Sequence, residues 1–280
     1  MNRSTENLFS SELISGSGLA FHEAERLLGL VTGADRSTVV GGMAVDHALA
    51  SRFRALVARR RAGEPLQYLE GTVQFGPIEL EVDDRVLIPR PETEQLWERV
   101  MALLPAQSCR VVDIGTGSGC LALAIKHERP DIHVVATDIS SDALDLALGN
   151  ARRLMLDIEF REGDGLAALE PSTIGSVAAI VTNPPYVAEA DWAGLPIDVK
   201  EHEPKSALVM GNGLGDGLDM YRHLGSEASR WLAPSGVLVA EIGELQGSDI
   251  TRLFHGGGWE ANVERDWSGR DRFLLAWMER

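Results

Sequence analysis

Two spacings of apolar positions divide the chain. From about Ser10 to Arg61 they recur at helical intervals, first Leu19, Leu27, Leu28 and Leu30 with Glu23 beside them, then Leu49, Phe53, Leu56 and Val57. That period predicts short helices packed as a small bundle. Arg59, Arg60 and Arg61 close the last helix ahead of Gly63 and Pro65. Cations at the negative end of a helix fit a solvated terminus better than a partner-binding patch. Between Gly71 and Pro89 the spacing becomes alternating, with Ile78, Leu80 and Val82, then Val86, Leu87 and Ile88, and Asp83-Asp84 between the runs. This predicts a β-hairpin linking two domains. Pro91 then marks a helix start, with Glu92 and Glu94 in the first turn and Leu96, Trp97 and Val100 as the packing face.

From Arg110 onward, strand and helix patterns alternate. VVDIG precedes a helix over 119–128, HVVATD a helix over 141–154, and a short strand falls near Ile158. VAAIVT, a helix over 217–233 and VLVAEIG follow, and Trp259 to Met278 reads as two strands around Ser268-Gly269. Such repetition predicts an α/β fold with a doubly wound parallel sheet and ligands at the carboxyl ends of its strands. The expected organisation is a helical N-terminal domain over 1–70, a hairpin linker over 71–90 and the α/β domain over 91–280.

Composition narrows the function classes. A chain of 280 residues with 44% hydrophobic content can fill a core. The opening MNRSTENLFSSELIS has no basic flank followed by an apolar run, and no window approaches eighteen apolar residues. A soluble, cytoplasmic, monomeric protein without membrane contact is expected. Cys109 and Cys120 have no partner spacing for zinc or a CxxC pair, so both read as small buried apolar residues and no metal is expected. The net charge of -16 is uneven, because residues 1–70 hold eight basic and eight acidic side chains and the rest carries the whole excess. Gripping a nucleic acid backbone needs Lys and Arg to displace counterions, so the acidic part suits a protein partner better; acidity serving only solubility fits equally well.

Three segments carry chemistry. Gly115-Thr116-Gly117-Ser118-Gly119 sits where the first strand gives way to a helix. Glycines there permit a tight turn and close approach to a ligand beside unpaired helix N–H groups. A dinucleotide fingerprint would need glycine at position 120, which is Cys120. The G-x-G-x-G form suits the methionine moiety of S-adenosylmethionine, with a nucleotide-binding or purely structural turn as alternatives. Asp138 ends the second strand, where a carboxylate can accept two ribose hydroxyls; it could instead cap the helix near Ser141. Asp164, in EGDG, lies where an adenine amino group would fall, or simply in a loop turn. Asn183-Pro184-Pro185-Tyr186 follows VAAIVT. Two prolines fix φ and donate no N–H, so the Asn183 side-chain oxygen and the Pro184 carbonyl can accept both hydrogens of a planar NH2, with Tyr186 offering a ring face. That pattern predicts methyl transfer to a planar amide or an exocyclic amine.

IPRPETE (88–94), DIGTGSGCLALA (113–124), TNPPYV (182–187), EHEPKSAL (201–208), DGLDMYRHL (216–224), EIGELQ (241–246) and SGRDRFLLA (268–276), with GEPLQYLEGTVQFG (63–76), resemble the HemK/PrmC family of release factor glutamine methyltransferases. The resemblance runs from about residue 60 onward and implies a Rossmann-like class I methyltransferase sheet ending in an antiparallel hairpin. It implies that Gly115, Thr116, Gly117, Ser118, Gly119, Asp138, Asp164 and Asn183 bind S-adenosylmethionine. Asn183, Pro184, Pro185 and Tyr186 would hold the glutamine of a Gly-Gly-Gln loop in a peptide chain release factor, and Arg90, Glu92 and Glu94 would shape the cleft. Asn183, Pro184 and Tyr186 would be catalytic. Two departures stand out. Gly165 replaces a large residue beside the adenine, a role Leu166 would take over, and MGNGLGDGL (210–218) is longer than the family's glycine-rich segment. Rival acceptors are a ribosomal-protein glutamine, a nucleic acid amino group and a small molecule; a non-catalytic binding module is the rival from another class.

Overall fold

The computed structural model describes residues 8–211 and 213–278. The chain divides into two compact units, one of residues 1–71 with 196–202 and one of 72–195 with 203–280.

In the first unit, β1 (Leu8–Phe9) pairs with β2 (Ala44–Val45), and the helices are α1 (Ser10–Gly16), α2 (Phe21–Thr32), α3 (Arg36–Val40), α4 (His47–Arg61) and α5 (Leu66–Glu70). Asp35 and Asp46 cap α3 and α4 by accepting the N–H of Thr38 and Leu49. Leu27, Leu28, Phe53 and Val57 are buried together, as the period predicted. Leu30 is 46% exposed and lies off the buried face. The arginine run is committed within the unit: Arg59 pairs with Glu64 and Arg60 with Glu23.

The hairpin comes earlier than the alternation suggested. Strand β3 (Thr72–Phe75) pairs with β4 (Ile78–Glu81) around Gly76, whose φ of 48° suits glycine. Val86 to Ile88 forms no strand. Asp83 folds back as a turn, its carboxylate accepting the Arg85 N–H and its carbonyl the Val86 N–H, and Pro89 and Pro91 have no N–H to offer a ladder. Helix α6 (Pro91–Leu103) starts at Pro91 with Glu92 and Glu94 in its first turn.

The elements that follow are β5 (Arg110–Ile114), α7 (Cys120–Glu128), β6 (His133–Asp138), α8 (Ser141–Leu154), β7 (Glu159–Glu162), β8 (Val177–Thr182), α9 (Ile197–His202, in the first unit), α10 (Asp219–Trp231), β9 (Leu232–Glu241), α11 (Gly247–Gly256), β10 (Trp259–Arg265) and β11 (Asp271–Met278). They build a seven-stranded sheet in the order β10-β11-β9-β8-β5-β6-β7. The five strands from β9 to β7 are parallel, and β11 inserts antiparallel between β9 and β10. Alternate residues feed two cores. Val111, Val134, Ala179 and Val239 face α6, α7 and the hairpin; Val112, Val135, Ile180 and Leu238 face α10 and α11. Cys120 is buried and Cys109 half-buried, both as free thiols.

One buried amide ties the second unit together. Asn150 on α8 accepts the Glu81 N–H at 2.7 Å and donates to the carbonyls of Glu81 and Ser118, both at 3.0 Å. Replacing it with alanine leaves three backbone groups, one of them fully buried, without this partner. We expect Asn150→Ala to lower unfolding free energy by about 2–4 kcal/mol in urea titrations.

Candidate functional site

Strand order reverses around β5, which is flanked by β6 on one side and β8 on the other. Loops leaving the carboxyl ends of such strands diverge and open a crevice. Here the crevice is a cavity of about 610 Å3, within the size range of small-molecule sites. Its wall includes Gly115, Thr116, Gly117, Ser118, Asp138, Asp164, Asn183 and Pro185. It also includes Asp84, Arg85, Val86 and Leu87, the segment that forms no strand, and Pro89 and Thr93 beyond it.

The glycine turn is shaped by conformation and by crowding. Gly115 and Gly117 have φ of 67° and 55°, with nothing within 4 Å of where a Cβ would stand. They leave the backbone bare toward the open space. Gly119 has φ of 84°, and a Cβ there would stand 2.8 Å from Leu123 and 3.3 Å from Ala147. It packs the loop onto the helices and does not line the cavity.

Beneath the turn, Asp113 is buried. Its Oδ2 accepts the Thr116 hydroxyl at 2.6 Å and the Ala122 N–H at 3.2 Å, while its Oδ1 is buried with no hydrogen-bond partner among the described residues. Burial pushes its carboxyl up to about 7, more than the two hydrogen bonds hold it down. Asp138 accepts the Gly117 N–H and the Ser140 N–H, both at 2.9 Å. The cap of α8 is Ser140, whose hydroxyl accepts the Ala143 N–H, so capping does not occupy Asp138. Burial raises the Asp138 carboxyl as well.

Gly165 lines the cavity, but Leu166 is buried in the core against the sheet and takes no part in the wall. Its expected role beside an adenine is therefore not met; Met220 stands in the wall instead. The reason is local. Gly165 adopts φ of 53° at the start of a 3-10 turn, which turns the following side chain inward.

At the other side of the cavity, Asn183 Nδ2 donates to Thr93 Oγ1 at 3.1 Å, and Thr93 Oγ1 donates to Glu241 Oε2 at 2.9 Å. Tyr186 donates its phenol to Glu241 Oε1 at 3.1 Å. Glu241 is 1% exposed, and burial pushes it up to about 7 against the pull of Thr93, Arg272 and Tyr186. Desolvation, then the charge of Glu241, raises the Tyr186 phenol above its ordinary value. Pro184 and Tyr186 do not line the cavity wall, and neither do Arg90, Glu92 or Glu94. Arg90 pairs with the buried Glu203 at 2.5 Å, next to Pro204 in the wall.

Gly217 and Gln246 brace this corner. Gln246 Nε2 donates to the carbonyls of Tyr186 at 2.9 Å and Gly217 at 3.2 Å. Gly217 approaches so closely that a Cβ would stand 2.3 Å from the Tyr186 carbonyl oxygen. Thr93, Glu241 and Gln246 went unassigned in the sequence pattern, although each lies in a conspicuous segment. Their signal was polar residues placed at a helix start and at a strand end, which becomes legible only once the strands are ordered.

The sheet order, the inserted antiparallel strand and the glycine crevice define a Rossmann-like methyltransferase. Residues 95–195 match the methyltransferase small domain, and residues 9–71 match the PrmC N-terminal domain. The chain is 42% identical to the release factor glutamine methyltransferase of Nitratidesulfovibrio vulgaris over 83% of its own length and 79% of that protein's. It is 39% identical to the protein of the same name from Deinococcus radiodurans, over 91% and 90%. This chain belongs to the release factor glutamine methyltransferase family. Among solved structures, a methyltransferase from Pyrococcus furiosus superposes with a TM-score of 0.55 at 18% identity, covering 78% of this chain and 97% of that one. The hMettl16 catalytic domain also gives 0.55, at 15% identity and 85% coverage of each chain. These two likenesses establish the fold.

The buried Asp113 sets a pH dependence. A carboxyl whose folded value is raised stabilises the fold fully below its ordinary value of 3.8, and that stability is lost as pH rises through about 7. We expect Asp113→Asn, which keeps an acceptor for Thr116 and Ala122, to gain melting temperature relative to the parent as pH goes from 5 to 8. Calorimetry at both pH values checks this; a constant gap would show that Asp113 ionises normally.

Proposed function

We propose that this protein transfers a methyl group from S-adenosylmethionine to the side-chain amide nitrogen (N5) of the glutamine in the Gly-Gly-Gln loop of peptide chain release factors. The observation that carries the reading is that Gly115 and Asn183 leave neighbouring strand ends and border one cavity.

The residues suit the cofactor. Bare backbone at Gly115 and Gly117 gives room for a ligand, and the uncompensated Asp113 Oδ1 is complementary to a cationic group. Thr116, Ser118 and Gly119 complete the turn, Asp138 would accept ribose hydroxyls, and Asp164 stands by Gly165 for the base. Held there, the cofactor would supply an electrophilic methyl on its sulfonium, with the N–C bond forming as the S–C bond breaks. An amide nitrogen is a weak nucleophile because its lone pair is shared with the carbonyl. Asn183 Oδ1 and the Pro184 carbonyl, accepting its two hydrogens, would raise its electron density and orient its lone pair. Pro185 keeps the corner rigid, and Tyr186, outside the cavity wall, would back it through its phenol bond to Glu241. Arg90, through its pair with Glu203 beside Pro204, and Glu92 and Glu94 would shape the approach from outside the wall, and the proton would be lost to solvent once the nitrogen is alkylated.

The acidic balance of residues 71–280 supports a protein substrate over nucleic acid, and the N-terminal helices are the candidate recognition domain. No helix among the described residues is long and apolar enough to cross a membrane. A cytoplasmic location, a monomeric state and release factors as the protein substrate complete the proposal.

Incubation with labelled S-adenosylmethionine and purified release factor is expected to label the wild-type substrate and to leave a variant without the Gly-Gly-Gln glutamine blank. Label persisting on the variant would move the acceptor elsewhere. Asn183→Ala is expected to cost at least about 100-fold in kcat/KM, the range for removing one preorganised transition-state contact, with cofactor affinity changed only a few-fold by calorimetry. Full activity in that variant would sink the assignment of Asn183.

A further inference from the structure

The amide of Asn183 can point either its oxygen or its nitrogen at the cavity, and only the first can accept hydrogens from an NH2 group. The hydrogen-bond chain behind it decides which. An ionised Glu241 can only accept, so the single Thr93 hydroxyl proton goes to Oε2 at 2.9 Å. The Thr93 oxygen is then left as an acceptor, and the atom of Asn183 that faces it at 3.1 Å must be the NH2. The same carboxylate takes the Tyr186 phenol proton on its other oxygen. One buried group thus holds both ends of the Asn-Pro-Pro-Tyr corner.

We infer that Thr93 and Glu241 are positioning residues that fix the polarity of the Asn183 amide, turning its oxygen toward the substrate NH2. The inference rests on the proposed transfer to an amide nitrogen and adds the device that makes Asn183 an acceptor. Protonated Glu241 would donate to Thr93, release the Thr93 proton toward Asn183 and allow the amide to turn over. The groups facing Glu241 are Arg272 on β11, Glu92 on α6, Tyr186 in the corner and Tyr221 on α10, with Cys120 on α7 further along. Arg272 favours the ionised form and Glu92 opposes it, while burial places the carboxyl at about 7.

Three variants test this on the full chain. Thr93→Val, nearly isosteric but without a hydroxyl, is expected to lower kcat/KM for release factor by roughly 10- to 100-fold, the equivalent of one or two lost hydrogen bonds to a charged network. Thr93→Ser restores the hydroxyl and is expected within about threefold of wild type, and cofactor affinity should stay within about threefold in both. Glu241→Gln presents either an acceptor or a donor to Thr93. Its deficit at pH 8 is expected to narrow below pH 6.5, where wild-type Glu241 is itself protonated. A readout without turnover comes from asparagine-selective 15N labelling. The Asn183 side-chain amide should show slowed hydrogen exchange in wild type and Thr93→Ser, and fast exchange in Thr93→Val. Equal kcat/KM in wild type and Thr93→Val would overturn the inference, and so would parallel losses in Thr93→Ser or in cofactor binding, or a pH-independent deficit in Glu241→Gln. A wild type that exchanges slowly at Asn183 yet methylates no glutamine substrate would instead sink the proposed function and leave the lock standing.

Discussion

The parallel pairing of β5 with β8 is the constraint on which the rest depends. Ile114 lies in register with Thr182, and the Thr182 hydroxyl donates to the Ile114 carbonyl at 2.8 Å. The next residues, Gly115 and Asn183, therefore leave the sheet side by side. A slip of one residue in that register would turn every side chain of the strand to the opposite face. The apolar alternation that feeds two cores at once is what fixes the register, so packing far from the cavity sets the geometry of the cavity mouth.

Two carboxylates are held in low-dielectric positions by that frame, one beneath each wall of the cavity. Asp113 stands under the glycine turn with one oxygen unpartnered, and Glu241 stands behind the proline corner with both oxygens engaged. Burial costs the fold stability at both positions. The difference in partnering separates their uses: a carboxylate with spare capacity can receive a ligand, and one that is saturated can only orient its neighbours.

Much of this was legible from residue order. The strand and helix alternation after Arg110, the proline and first-turn glutamates of α6 and the turn at Ser268-Gly269 all follow from local chemistry. The failures have a common cause. Val86 to Ile88 has the period of a strand, but ladder formation depends on a partner strand, and the Val86 N–H is taken by the Asp83 carbonyl of the turn instead. Leu166 looks placed for a ligand in sequence, yet the backbone turn at Gly165 sends it into the core. Thr93 and Glu241 lie 148 positions apart and meet only after β9 has taken its place beside β8. No local pattern carries a contact of that kind.

The placement of β11 has a consequence for how the protein comes into being. It is translated after β9 and β10, yet it fills the slot between them, with Phe273 opposite Glu241, the Arg272 carbonyl accepting the Ile242 N–H and the Arg272 guanidinium donating to the Ile242 carbonyl. On the ribosome, the glycine turn and both of its supporting strands can emerge and pair while the corner around Asn183 still lacks its backing. A nascent chain would thus gain the means to hold a small ligand before it could align anything with it, and competence arrives only when the final strand is threaded home.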